Sequence, residues 1–417
     1  MYQAAVSQAH PSVCVPPHLP DIPDKGRIFV IGAGKAAAAM AVATEAHYAY
    51  KPGFERVSGF VTTRHGYELP TKRLEILSAG HPVPDAGSIE GAKRAAEFIK
   101  GAGENDIVLC LISGGASALW SAPVDGVTFE AKQALTKALL RSGARISEMN
   151  CVRKHLSRIK GGRLAALAAP ARMITLAISD VPGDSPDGIG SGPTVADATT
   201  LADARDVLER YNVEVPPEIA AALAEPKNET PKSGDPVFAN TDYRIVAAPK
   251  ASISAAAEIA KQHGFKVELL GDALEGEARE VAAEHAKRAI AAKGNGEQLA
   301  ILSGGELTVT VRGNGSGGPN QEYALGLAIA LNGEDGIAGL AGDTDGSDGG
   351  GGAADDPAGA FVFADTLQRA TAADLNAVKF LENNDSTAFF KAIGDLIQCG
   401  PTQTNVNDLR VVLVQSS

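Results

Sequence analysis

The sequence predicts an α/β protein built as two three-layer α/β/α domains, and three observations carry that reading. Apolar, β-rich runs alternate with Ala-rich helical stretches almost throughout the chain. Two of the runs, Asp106–Ile112 (DIVLCLI) and Met173–Ile178 (MITLAI), are uninterrupted, as expected when both faces of a parallel strand are covered. The length, 417 residues, fits two or three domains at roughly 150 residues each.

In order, Arg27–Ile31 reads as a strand and Lys35–Ala46 as its following helix. Val57–Thr62 and Leu74–Ser78 are further strands, and Ser88–Ile99 is a helix leading into Asp106–Ile112. Right-handed crossovers would assemble these strands into a Rossmann-like sheet over residues 1–236. Glu225–Pro236 (EPKNETPKSGDP) has three prolines and no periodicity, and reads as a linker. Tyr243–Ala247 then opens a smaller, mixed-sheet domain over residues 237–417, with a helix at Ser252–His263 and further elements at Leu299–Leu302, Leu307–Val311, Glu322–Leu331 and Gly336–Ala341. The last strand, Arg410–Val414, is placed so that it could return to the first domain.

Composition removes several functional classes. No apolar run approaches the ~18 residues of a membrane span, and the N-terminus lacks the basic start and apolar core of a secretory signal. Cys14, Cys110, Cys151 and Cys399 show no metal-binding spacing, which argues for a reducing cytoplasm. The net charge of −12 disfavours nucleic acid as a partner. An anionic small substrate would need locally concentrated cations or amides. Glycine, at 46 residues, exceeds the roughly 29 expected for this length, and it clusters in loops of the kind that bring backbone close to a phosphate.

The candidate chemistry sits at strand ends. Gly32–Ala37 (GAGKAA) follows a strand and opens a helix, so its amides and the helix dipole favour an anion. It is also a weak dinucleotide fingerprint, without a good match to the acidic residue expected ~20 positions on. Lys35 there faces the dipole and calls for a phosphate or carboxylate, unless it is simply solvated. Ser113-Gly114-Gly115-Ala116-Ser117 ends the strongest apolar strand and offers amides and two hydroxyls suited to phosphate oxygens. Asn150–Arg163 (NCVRKHLSRIKGGR) concentrates cations in an acidic chain, and on a helix Lys154 and Arg158 would share one face. Ile178–Thr194 carries Asp180, Asp184 and Asp187, with Asp180 placed to act as a base or to hold Mg2+. Gly342–Gly352 contains Asp343, Asp345 and Asp348 but lacks the closing Glu of a calcium loop, so a nucleotide or Mg2+ site fits better.

Taken together, GAGKAAAAMA (32–41), GHPVPDAGS (80–88), LISGGASAL (111–119), NCVRKHLSRIKGGRLA (150–165), SDVPGDSPDGIGSGPT (179–194), LSGGELTVTVRGNGSGGPNQE (302–322), AGDTDGSDG (341–349) and TNVNDLR (404–410) make the chain resemble the class II glycerate kinases, whose C-terminal half is the MOFRL domain. The resemblance implies ATP-dependent phosphorylation of D-glycerate to 2-phosphoglycerate, with Mg2+ as companion ion and a site in a cleft between two α/β domains. On that basis Lys35 and Asp180 are the catalytic candidates, and Lys154, Arg158 and Ser113 hold substrate. Gly34, Gly114, Gly115, Ser117, Glu306, Asn320 and Gln321 hold nucleotide, and Asp180, Asp345 and Asp348 hold metal. An NAD(P)H-dependent hydroxypyruvate reductase is the alternative. Where many relatives carry an arginine this chain has Pro319, so either another cation such as Arg312 or Arg158 takes its place or that arginine is not essential. Neither a nucleic acid nor a membrane is an expected partner, and monomer and homodimer remain equally open.

Overall fold

The computed structural model describes residues 1–349 and 355–415, so the last glycines of the Gly342–Gly352 run lie outside the described residues. The chain divides into two compact units, residues 14–246 and residues 1–13 with 247–417.

The first unit is built on strands β1 (Ile28–Ala33), β2 (Val57–Arg64), β3 (Leu74–Ala79), β4 (Ile107–Ile112), β5 (Arg172–Ile178) and β6 (Thr241–Ala247). They lie in the order β3-β2-β1-β4-β5-β6, and the pairs from β3 through β5 are parallel. This is the doubly wound order 3-2-1-4-5-6. Every residue of β1 and β4 is buried, which explains why both read as continuous apolar runs. Phe29, Ile31, Val108, Cys110 and Ile112 form one core with Ala92, Ala95 and Ile99 of the helix Ala86–Ile99. That helix starts on a reciprocal cap: Ser88 N donates to Asp85 Oδ1 and Asp85 N to Ser88 Oγ, both at 3.1 Å. A separate apolar cluster joins the helices Phe129–Arg141, Ile146–His155, Leu201–Arg210 and Pro217–Ala224 through Leu135, Leu139, Val152, Val207 and Leu223.

The second unit holds β7 (Lys266–Leu269), β8 (Leu299–Ser303), β9 (Ile337–Asp343), β10 (Gly359–Val362), β11 (Leu396–Ile397) and β12 (Asp408–Val414), ordered β11-β10-β9-β12-β8-β7. Only β7 and β8 pair in parallel; the remaining pairs are antiparallel. Alternation along the strands builds two cores. Leu299, Ile301, Val412 and Val414 face the helices Ala278–Gly294 and Pro319–Leu331, whereas Ala300, Leu302, Leu409 and Val411 face Ala5, Ile253 and Ala257.

Four expectations are corrected. The strand around Tyr243 is β6 of the first sheet, so the boundary falls after Val246 instead of at 236. The proposed linker is packed: Asn228 and Thr230 are buried, and Glu229 accepts from Leu201 N, His155 and Lys232. The last strand lies between β8 and β9 within its own unit, and residues 1–13 join that unit through apolar contacts such as Ala5 against the helix Pro249–Gln262. Leu307–Val311 forms no strand.

Candidate active site

In a doubly wound sheet, ligands collect at the carboxyl ends of the strands where the order reverses. Here that point lies between β1 and β4. Ala33 pairs with Ile112, and Ile112 with Ala177, so the turns after β1, β4 and β5 emerge side by side. The two glycine turns are laced together. Gly34 N donates to Thr62 O (3.1 Å), Lys35 N to Gly114 O (2.8 Å), Ala36 N to Ser113 Oγ (3.0 Å) and Ser113 N to Ala33 O (3.1 Å). Gly34 has φ +143°, and a Cβ there would run into Ser113 Oγ. Gly34 and the fully buried Ser113 therefore brace the turns, with the Gly34 amide and the Ser113 hydroxyl both engaged. What remains for an anion is the Gly114–Gly115 corner. Gly115 has φ +82°, and a Cβ on it would lie 2.8 Å from His81 Cδ2 and 3.4 Å from Lys35 Cγ, so these two side chains flank the corner.

Beside the corner lies a cluster of cations, Lys132, Arg153 and Lys160, that differs from the expected pair Lys154 and Arg158. Lys160 Nζ donates to both Ser117 O and Ser117 Oγ at 2.7 Å, and Arg153 Nη2 reaches the same Oγ at 2.9 Å. Lys132 Nζ donates to Leu156 O at 3.0 Å. Lys132 and Lys160 are buried, Arg153 is partly so, and among the described residues none of the three is ion-paired to a carboxylate. Burial, then mutual repulsion, pushes Lys132 down to about 7 and Lys160 well below an ordinary lysine; burial lowers Arg153 as well. Uncompensated buried cations are costly, and an incoming anion would relieve that cost. The three line a cavity of about 550 Å³ together with Ser117 and Ser121.

Other candidates fall elsewhere. Lys154 is buried, 3.4 Å from the buried Asp197 and 3.3 Å from Asp187, which makes it a structural ion pair. The helix ends at His155, so Arg158 does not sit one turn beyond Lys154; it is exposed and pairs with Asp125 at 3.8 Å. Asp180 follows β5 and is partly buried. In the second unit Glu306 is exposed, but Asn320 and Gln321 are buried and turned onto Asp348. Asp348 Oδ1 accepts from Asn320 N and Nδ2 at 3.0 and 3.1 Å, and Oδ2 from Gln321 N and Nε2 at 2.8 and 3.1 Å. Burial, then the neighbouring Asp408, raises the Asp348 carboxyl to about 7. Both oxygens of that carboxyl are thus already engaged by amide donors. Among the described residues no group of three His, Cys, Asp or Glu side chains stands together as a metal site. Pro319 opens the helix Pro319–Leu331, a position that suits proline, and Arg312 is exposed.

The dinucleotide alternative fares poorly. The amides of Gly34, Lys35 and Ala36 are already engaged, and β2 ends in Arg64 where a ribose-binding carboxylate would stand. His155 is fully buried, held between Cys151 O and Glu229, and His65 contacts Asp85, the cap of the helix Ala86–Ile99.

A doubly wound unit with glycine turns and a cation-floored cavity, followed by a mixed-sheet unit, defines the class: a two-unit α/β protein equipped to hold small anions. Known proteins make that class specific. Residues 1–224 match DUF4147, a domain of unknown function, and residues 299–408 match the MOFRL family. A protein of Agrobacterium vitis carrying a provisional hydroxypyruvate reductase name is 49% identical over 99% of this chain and 93% of its own. The D-glycerate 2-kinase of Thermotoga maritima is 40% identical over 93% of this chain and 91% of its own. A crystal structure of glycerate kinase from Thermotoga maritima superposes with a TM-score of 0.88 at 37% identity, covering 99% of this chain and 97% of that one. The chain belongs to the class II glycerate kinase (glycerate 2-kinase) family, with a C-terminal MOFRL domain.

Proposed function

We propose that this protein transfers the γ-phosphoryl group of ATP to the 2-hydroxyl of D-glycerate, giving 2-phosphoglycerate and ADP. The observation that carries the reading is the unpaired cation cluster beside the Gly114–Gly115 corner, since phosphoryl transfer asks a protein mainly for positioning and charge neutralisation. The hydroxyl oxygen forms a bond to the γ-phosphorus as the bond to the β,γ-bridging oxygen breaks. Lys35 stabilises the charge on the transferring group, and Asp180 accepts the hydroxyl proton. The amides of Gly114 and Gly115 offer donors to the equatorial oxygens. Mg2+ carried on the nucleotide phosphates would supply further charge neutralisation there, as suits an ion that retains its waters and uses few protein ligands. Substrate and donor are small molecules. Among the described residues no helix is long and apolar enough to cross a membrane, and the scattered cysteines favour a cytoplasmic setting.

The test is phosphorus NMR of the product formed from D-glycerate and MgATP, run beside NAD(P)H absorbance with hydroxypyruvate. A 2-phosphoglycerate resonance is expected; reductase turnover without phosphorylation would reverse the assignment. Lys35→Met should lower kcat by orders of magnitude with the fold retained, and a loss under threefold would remove Lys35 from the chemistry.

A further inference from the structure

The cation-floored cavity is larger than a three-carbon acid requires, and its walls are of the wrong kind for one. At about 550 Å³ it falls within the size range of sites that engulf a drug-sized ligand. Its floor is polar and cationic, whereas its mouth sets the apolar Val83, Phe129 and Leu140 beside the exposed Glu130 and Lys137. Val83 and Leu140 line it while remaining 69% and 62% exposed, and Phe129 lines it beside them. The Gln133 amide ties the two sides of the mouth together by donating to Pro84 O at 2.9 Å. Glycerate has no apolar surface to bury against such a rim; a purine has two faces. Its single carboxylate would also leave most of the cluster's charge unmatched, whereas a polyphosphate tail would not.

The geometry points to this cavity as the seat of the donor nucleotide, with its phosphates on Lys132, Arg153 and Lys160 and its base against Val83, Phe129 and Leu140. The placement rests on the kinase reading and adds a direction to it. Ser117 belongs both to the cavity and to the short helix Ala116–Leu119 that follows directly on Gly114 and Gly115, so a nucleotide seated here points its terminal phosphate toward Lys35 and the glycine corner. The acceptor then approaches from outside the cavity. The exposed Lys137 and Glu130, which also line it, sit where they can meet the sugar.

The experiment is a fluorescence titration of the full-length protein with mant-ADP in the absence of glycerate. Leu140→Asp changes an exposed rim residue and leaves the packing untouched; Arg153→Gln removes a floor cation. Each is expected to weaken mant-ADP binding at least fivefold, with circular dichroism unchanged. A smaller change in both overturns the assignment, and a rise confined to the KM for D-glycerate would give the cavity to the acceptor. If the unaltered protein binds mant-ADP and the variants do not, yet no hydroxy acid is phosphorylated, the nucleotide seat stands and the kinase reading fails.

Discussion

Arg153 and Lys160 converge on a single acceptor, the Ser117 hydroxyl, at 2.9 and 2.7 Å. Two cations sharing one neutral oxygen repel each other. Such an arrangement is costly in the empty protein and favourable once an anion arrives. It sits at the one point of the sheet where strand order reverses, so fold and electrostatics select the same spot.

Lys154 separates structural from functional cations. Lys154→Met leaves Asp197, 1% exposed, without its counter-ion. Loss of one partner of a buried pair costs about 3 kcal/mol, so the urea midpoint should fall clearly. The KM values for ATP and D-glycerate should stay within twofold, because Lys154 faces Asp187 and Asp197 and does not line the cation-floored cavity. A normal midpoint with a large rise in either KM would return Lys154 to the substrate site.

The contrast shows what a sequence can carry. β1 and β4 were legible because strands buried on both faces must be apolar at every position, and the turns after them because their glycines mark the strand ends. The basic segment 150–163 was legible as a charge reversal, but which of its cations line the cavity was not. Helical spacing pairs Lys154 with Arg158 only if the helix continues, and it stops at His155. Lys132 comes from a different helix, and only packing brings it to Arg153 and Lys160. The identity of β6 was hidden for a related reason: a strand's own residues do not say which sheet it will join.

Asp348 should prove structural. Asp348→Ala strands the four N–H donors of Asn320 and Gln321 that now converge on its carboxylate. Leaving buried donors unsatisfied costs about 3 kcal/mol in total after local relaxation. The melting temperature should drop markedly, while the Mg2+ concentration for half-maximal activity shifts less than twofold. A tenfold shift at unchanged stability would restore it as a metal ligand.

Gly115 and His81 are coupled by lack of space. Gly115→Ala puts a methyl 2.8 Å from His81 Cδ2 at a backbone φ of +82°, so the corner must move. A loss of kcat/KM of at least tenfold is expected. Because His81→Ala opens that space, the double variant should be no worse than about fivefold below His81→Ala alone, the remainder reflecting the positive-φ penalty of about 1 kcal/mol. If instead the two losses multiply, the histidine is not what the methyl strikes.

Anion binding should weaken as pH rises through neutrality. Lys132 is held at about 7, first by burial and then by Arg153 and Arg163. Lys160 and Lys137 add positive charge around the cavity, and Glu130 is an exposed carboxylate in its lining. Below that value the lysine is protonated in both folded and unfolded chains. Between about 7 and the ordinary lysine value of about 10.4 only the unfolded chain keeps the proton. The unfolded state then binds more protons, so the ligand-free protein gains stability from this group across that window as pH rises. An anion prefers the protonated form, so its affinity should run the other way. Sulfate keeps its charge over this range and is the suitable probe: its stabilisation of the melting temperature should be larger at pH 6 than at pH 9. Lys132→Met should flatten that difference. An increment equal or greater at pH 9 in the unaltered protein, or a dependence that survives Lys132→Met intact, would show that this lysine does not govern the anion site.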